Sequence, residues 1–134
     1  MNTRPLMTAS SLCLGAAGLA TTFAPIELLT ALRVPATEPM PVLIQLLGAL
    51  YLAFAMANWT ARGSLIGGIY ARPLSVANSV HFIVGALALV KHALTNHVGG
   101  ELAVLTAGYL LFALWFAYLL FAGGAACVGP APEK

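Results

Sequence analysis

Charged side chains are scarce in this sequence. Of its 134 residues six are Lys or Arg and four are acidic, 7% in all, while 60% are hydrophobic. A soluble globule of this size carries about a quarter of its residues as charges, so the chain has too little polar surface to clothe itself in water. Lipid is the expected solvent. Acidic groups are absent from every long apolar run, which excludes the membrane carboxylate on which a small proton-coupled multidrug exporter depends. Cysteine is almost absent: Cys13 and Cys127 lie far apart, with no CxxC and no metal-ligand spacing, which removes thiol-oxidising membrane enzymes. Cys127 follows the last apolar run, where a palmitoyl group could be attached, but an unmodified thiol is the preferred reading. No basic block or aromatic-basic interleaving occurs, and a net charge of +2 is too small to argue for nucleic acid. Neither a Ser/His/Asp set nor a zinc-protease helix motif is present, so no catalytic residue is assigned.

What is present is a set of uncharged runs of one kind of length. Arg4 is followed by 22 uncharged residues before Glu27, Glu38 by 23 before Arg62, Arg72 by 18 before Lys91, and Glu101 by 31 before Glu133. A helix rising 1.5 Å per residue needs about 17 to 25 residues to cross about 30 Å of hydrocarbon. Four spans are therefore expected, over about 6–24, 41–61, 73–90 and 102–122. The fold class is an all-α transmembrane four-helix bundle, up-down-up-down, forming a single membrane domain over 1–134, with no internal repeat.

The connections fit that reading. Span one is rich in small residues (Gly15, Ala16, Ala17, Gly18, Ala20), which let backbones approach where packing drives association. Arg4 and these small residues imitate a cleavable signal peptide, but Leu6 to Ala24 exceeds the usual apolar core and contains Ser10 and Ser11, so a retained span is expected. Pro25 suits the first turn of a short interfacial helix through Ile26, Leu29 and Leu32, with Glu27 near its start and Arg33 near its end. Pro39 and Pro41 forbid a continuous helix before span two. Gly63, Gly67 and Gly68 make a turn before span three, Lys91 to Gly100 reads as a polar loop, and Gly123, Gly124, Pro130 and Pro132 end helical order. Arg4, Arg62, Arg72 and Lys134 outnumber Arg33 and Lys91 on the other side, which puts both termini in the cytoplasm of a multi-pass cell-membrane protein. Trp59, Tyr70, Trp115 and Tyr118 then form an aromatic belt at the inner interface.

Polar residues at membrane depth are the functional pointers in such a chain. At 100° per residue, Gly48, Tyr51, Ala55, Asn58 and Arg62 of span two share an arc of about 80°, and Ser75, Asn78, His81, Gly85 and His92 of span three one of about 120°. Equal depths would match Asn58 with Asn78 and Tyr51 with His81, giving a polar seam between spans two and three. One reading of Tyr51, Asn58, Asn78 and His81 is helix-to-helix hydrogen bonding; the sharper one is a ligand-binding site for a small lipophilic molecule, with His81 and Tyr51 as anchors. An ionised imidazole at mid-depth would lack a counter-charge, so His81 is expected inward-facing, neutral and paired with Tyr51. His92 and His97 lie at or beyond the outer end of span three, which argues against bis-histidine haem. With Glu101 they read as a solvated loop rather than a metal site. No metal and no cofactor are assigned.

The order of parts resembles the small four-span bacterial membrane proteins grouped as DoxX-like. The resemblance is carried by the small-residue first span and the Phe23-Ala24-Pro25-Ile26-Glu27-Leu28-Leu29 turn. The Gly48-Ala49-Leu50-Tyr51-Leu52 run, the Asn58-Trp59 pair and the third span opening after Arg72-Pro73 complete it. It implies a four-helix bundle and in some members an accessory role beside respiratory or redox machinery, and it assigns no catalytic residue. The expected function is thus a non-catalytic membrane protein, an accessory or interaction subunit or a binder of a small lipophile. Its partners are the lipid bilayer and a membrane protein or a second copy of itself. The alternative is a small oligomeric channel or transporter, against which the polar stripe fades outward to Gln45 and Thr106.

Overall fold

The computed structural model describes residues 4–63, 71–96 and 99–124, and within them the chain is all-helical. Five helices follow in order: α1 (Arg4–Phe23), α2 (Pro25–Ala31), α3 (Met40–Ala61), α4 (Ala71–Thr95) and α5 (Gly100–Gly124). Four of them are long and apolar enough to cross a membrane, as a helix must be if lipid is to find no unsatisfied backbone. This is the all-α class expected from the sequence, and the protein is a multi-pass membrane protein. The chain divides into two compact units, Met1–Gly63 and Ser64–Lys134.

In the first unit α1 and α3 run antiparallel, and α2 packs against both. Proline sets the breaks. Pro25 has no N–H to give the carbonyl a turn earlier, so α1 stops at Phe23 and α2 starts at Pro25 with Glu27 in its first turn. Two turn bonds close α2: Arg33 N–H to the Thr30 carbonyl at 3.0 Å and Val34 N–H to the Leu29 carbonyl at 2.9 Å. That is a Schellman ending, and Arg33 adopts the left-handed φ of 57° that the motif usually gives to glycine. Leu29 of α2 is buried while Ile26 is exposed, so the short helix has the two-faced character expected of an interfacial segment. Pro39 caps α3, with a second proline in its first turn.

α1 and α3 meet through small residues. A Cβ built on Gly18 would lie 3.0 Å from the Leu52 amide nitrogen and 3.1 Å from the Gly48 carbonyl oxygen. One built on Gly48 would lie 2.6 Å from Thr21 Oγ1 and 2.9 Å from the Thr22 amide nitrogen, with Thr22 Oγ1 in the space it would take. The two backbones are therefore in direct contact at this level, where any side chain would hold them apart. Val42, Leu43, Leu46, Leu50 and Met56 of α3 are exposed, as side chains solvated by lipid tails would be.

In the second unit α4 and α5 form an antiparallel pair held by aromatic rings. Phe82 of α4 stacks on Phe112 (centroids 4.9 Å apart, 24° between planes) and on Phe116 (5.6 Å, 11°), and meets Tyr109 edge-on at 5.4 Å. These α5 residues recur at the three- and four-residue spacing of one helix face. Ring pairs of this kind contribute about 0.5–1.5 kcal/mol each beyond simple contact. α4 runs through Thr95, past the expected end at Val90, so Lys91 and His92 are helical rather than part of a loop. A lysine at a span end needs no break in the helix, since its stem stays against apolar surface while the ammonium reaches the headgroups. His92 stands in the last turn of α4. Most of the glycine connector, His97, and the tail with Cys127, Pro130 and Pro132 lie outside the described residues.

Candidate functional site

Two polar constellations stand inside the spans, one in each unit. In the first, Ser11 of α1 donates to the Ala55 carbonyl of α3 at 2.7 Å, and Asn58 Nδ2 donates to Ser10 Oγ at 3.1 Å, which in turn donates to the Met7 carbonyl at 3.2 Å. Ser10, Ser11 and Asn58 are all buried, Ser10 and Asn58 completely. The hydrogen-bonded chain runs from α3 through a serine hydroxyl to an α1 carbonyl. Serine suits this position because its one hydroxyl both accepts and donates. Thr21 instead returns its hydroxyl to its own helix, at the Ala17 carbonyl (2.8 Å) and the Gly18 carbonyl (3.2 Å).

In the second unit Tyr109 OH lies 3.3 Å from His81 Nε2. The tyrosine hydroxyl donates when the imidazole proton sits on Nδ1. Gly85 makes room for this pair: a Cβ there would stand 2.7 Å from Tyr109 Cδ1, so the phenol ring lies in the hollow one turn beyond His81. The imidazole also meets Phe82 edge-on at 5.0 Å. Other polar side chains of these helices bond carbonyls one turn back: Asn78 to Leu74 (2.9 Å), Ser79 to Ser75 (2.8 Å) and Thr106 to Leu102 (2.7 Å).

Of the four expected site residues, Tyr51 and Asn58 belong to α3, where Tyr51 is half-buried and Asn58 buried. Asn78 and His81 belong to α4, where Asn78 is buried and His81 half-buried. The α3 face assigned to the seam is packed on α1 at Gly48, Ala55 and Asn58. Sequence reasoning passed over Ser10 and Ser11, which it read only as interruptions of an apolar run, and Tyr109, which it did not connect with His81. A signal for the first was available: Ser11, Gly15, Gly18 and Thr22 repeat at the four- and three-residue spacing of one small-residue face. Nothing local marked the second.

Among the described residues no group of three or more His, Cys, Asp or Glu side chains is placed to hold a metal ion. His92 accepts at Nδ1 from the exposed Asn96 side-chain amide at 3.3 Å, an arrangement that finishes the helix end. Chemically, the two constellations can orient and bind through hydrogen bonds. Comparison of the chain with family models, with curated proteins and with solved structures gives no match, so any functional reading rests on these residues and their geometry.

Proposed function

We infer that this chain is a non-catalytic membrane protein. In this reading it acts as an accessory or interaction subunit, or as the holder of a small lipophilic molecule through polar anchors among Tyr51, Asn58, Asn78 and His81. The observation that carries the reading is the use made of polar groups within the spans. Ser10, Ser11 and Asn58 hydrogen-bond across two helices, and His81 meets Tyr109, while no carboxylate lies in any of the four apolar stretches. Proton-coupled transport and acid-base catalysis both ask for a group that can change charge at depth, and the charged form of His81 would have no acidic side chain in these stretches to balance it. A hydrogen-bonding anchor asks only for a donor or acceptor in apolar surroundings. The resemblance to DoxX-like proteins is in keeping with an accessory role. The preponderance of Arg4, Arg62, Arg72 and Lys134 on one side supports a cell-membrane topology with both termini in the cytoplasm.

The test is extraction of the purified full-length protein with organic solvent, followed by mass spectrometry. A single apolar compound enriched near one per chain, and lost from His81→Phe at unchanged helicity, is expected for the lipophile-holding form. Retention of that compound by His81→Phe would remove His81 as its anchor. Ion flux through liposomes carrying the protein, above that of empty liposomes, would overturn the non-transport reading in favour of an oligomeric channel.

A further inference from the structure

The end of the first unit opposite α2 carries a cation with no counter-charge in the helices that hold it. Arg62, the C-cap of α3, lays its guanidinium on the Trp59 ring, with Cζ 3.3 Å from the ring centroid. Its Nη1 is buried and has no hydrogen-bond partner among the described residues. The antiparallel register that joins Ser10 to Asn58 and Ser11 to Ala55 brings the start of α1, with Arg4, to this same end. No acidic residue occurs in α1 or α3, and the two acids of this unit, Glu27 and Glu38, sit on α2 and before α3 at the other end.

A guanidinium drawn partly out of water needs an anion or a full set of acceptors. Stacking on an indole supplies attraction to the cation but leaves the in-plane N–H groups to find oxygens. Position decides which oxygens are near: Trp59 and Arg62 close a membrane-length helix, at the depth where lipid phosphates lie and where tryptophan gathers. Burial closes Nη1 to a headgroup, so the edge that matches two oxygens of one phosphate is that of Nε and Nη2, which the stack holds in place beforehand.

We propose that Arg62, held on Trp59, is a binding site for the phosphate of an anionic phospholipid headgroup. The site is separate from the polar groups inside the spans and does not depend on the functional reading given above. It would fasten the end of the α1/α3 pair that carries Arg62 to a leaflet containing anionic lipid.

Native mass spectrometry of the full-length protein, reconstituted with equal amounts of phosphatidylglycerol and phosphatidylcholine and then transferred to detergent, measures the site directly. The expected result is retention of phosphatidylglycerol over phosphatidylcholine by about fivefold or more, the effect of one arginine near an anionic surface. Arg62→Gln should abolish most of this preference. Trp59→Leu, which keeps the charge, should weaken it, and Lys91→Gln, in the other unit, should leave it unchanged. Arg62→Lys serves where the glutamine variant does not fold, and should retain less phosphatidylglycerol than arginine does. Equal retention of the two lipids, an Arg62 variant that is folded and indistinguishable from the unmodified protein, or displacement of phosphatidylglycerol by excess inorganic phosphate would each overturn the proposal, the last by assigning a free phosphate instead.

Discussion

Ser11 of α1 donates its hydroxyl hydrogen to the main-chain carbonyl of Ala55 on α3 across 2.7 Å. A carbonyl inside a helix already accepts from its own helix and has one lone pair left, which a neighbouring side chain reaches only if the two backbones come close. They do so because Gly18 and Gly48 carry no side chain where they face the opposite helix. The hydrogen bond and the glycine contact are thus parts of one arrangement, each requiring the other.

Glycines that look alike in the sequence should respond to substitution with different signs. Gly48→Ala forces its methyl against the Thr22 amide and both threonine hydroxyls and should cost about 1–3 kcal/mol. Gly15→Ala would place a methyl 3.7 Å from the Ala55 methyl, an ordinary contact, and should be tolerated. Gly108→Ala, in open space within α5, should stabilise by about 0.5–1 kcal/mol. Reversible unfolding in bilayer or detergent reads all three; equal losses for Gly48→Ala and Gly15→Ala would contradict the close approach.

Asn58 and Ser10 should be energetically coupled. Each single alanine replacement leaves a buried polar partner behind, whereas the double replacement removes both, so the double variant should lose less than the sum. The expected coupling is about 0.6 kcal/mol and at most about 2 kcal/mol, the range for hydrogen bonds between membrane helices. Strict additivity would show that the amide and the hydroxyl do not meet.

Tyr109 should matter more for its ring than for its hydroxyl. Tyr109→Phe keeps the ring in the hollow at Gly85 and loses the 3.3 Å contact to His81 Nε2, a loss of about 0.6 kcal/mol. Tyr109→Ala empties the hollow and removes the contact with Phe82, and should cost about 3–5 kcal/mol. Nitrogen chemical shifts of the His81 ring give an independent check: Tyr109→Phe should move the Nε2 resonance, and an unmoved resonance would count against the hydrogen bond.

The proposed orientation rests on cationic residues alone and is tested without unfolding. A cysteine placed at Ser64, in a background where Cys13 and Cys127 are serine, should react with membrane-impermeant maleimide only after the cytoplasmic face is opened. Labelling from outside intact cells would reverse the topology, and with it the leaflet to which Arg62 belongs.

Much of this architecture was legible beforehand because lipid imposes a simple rule. A backbone in hydrocarbon must satisfy its own hydrogen bonds, so an uncharged run of sufficient length is a helix, and the prolines at 25, 39 and 41 mark where one must stop or start. The boundaries of α1 and α3 agree with the expected spans within about two residues. The sequence places the end of span three at Val90, short of the end of α4 at Thr95, because a lysine marks the end of the hydrocarbon, while its long side chain can leave the hydrocarbon without ending the helix.

The sequence by itself determined the helices, their number and the residues sharing each face, since helical geometry fixes which side chains lie within one arc. It did not determine what each face meets. In water, burial of apolar surface would have pointed every hydrophobic stripe inward. In lipid both sides of a helix are equally well solvated, and the choice falls to small complementary surfaces and single hydrogen bonds. Only the tertiary structure therefore decided that Gly48, Ala55 and Asn58 meet Thr22, Ser11 and Ser10 of α1, and that the ring filling the hollow beside His81 comes from Tyr109, 28 residues along the chain.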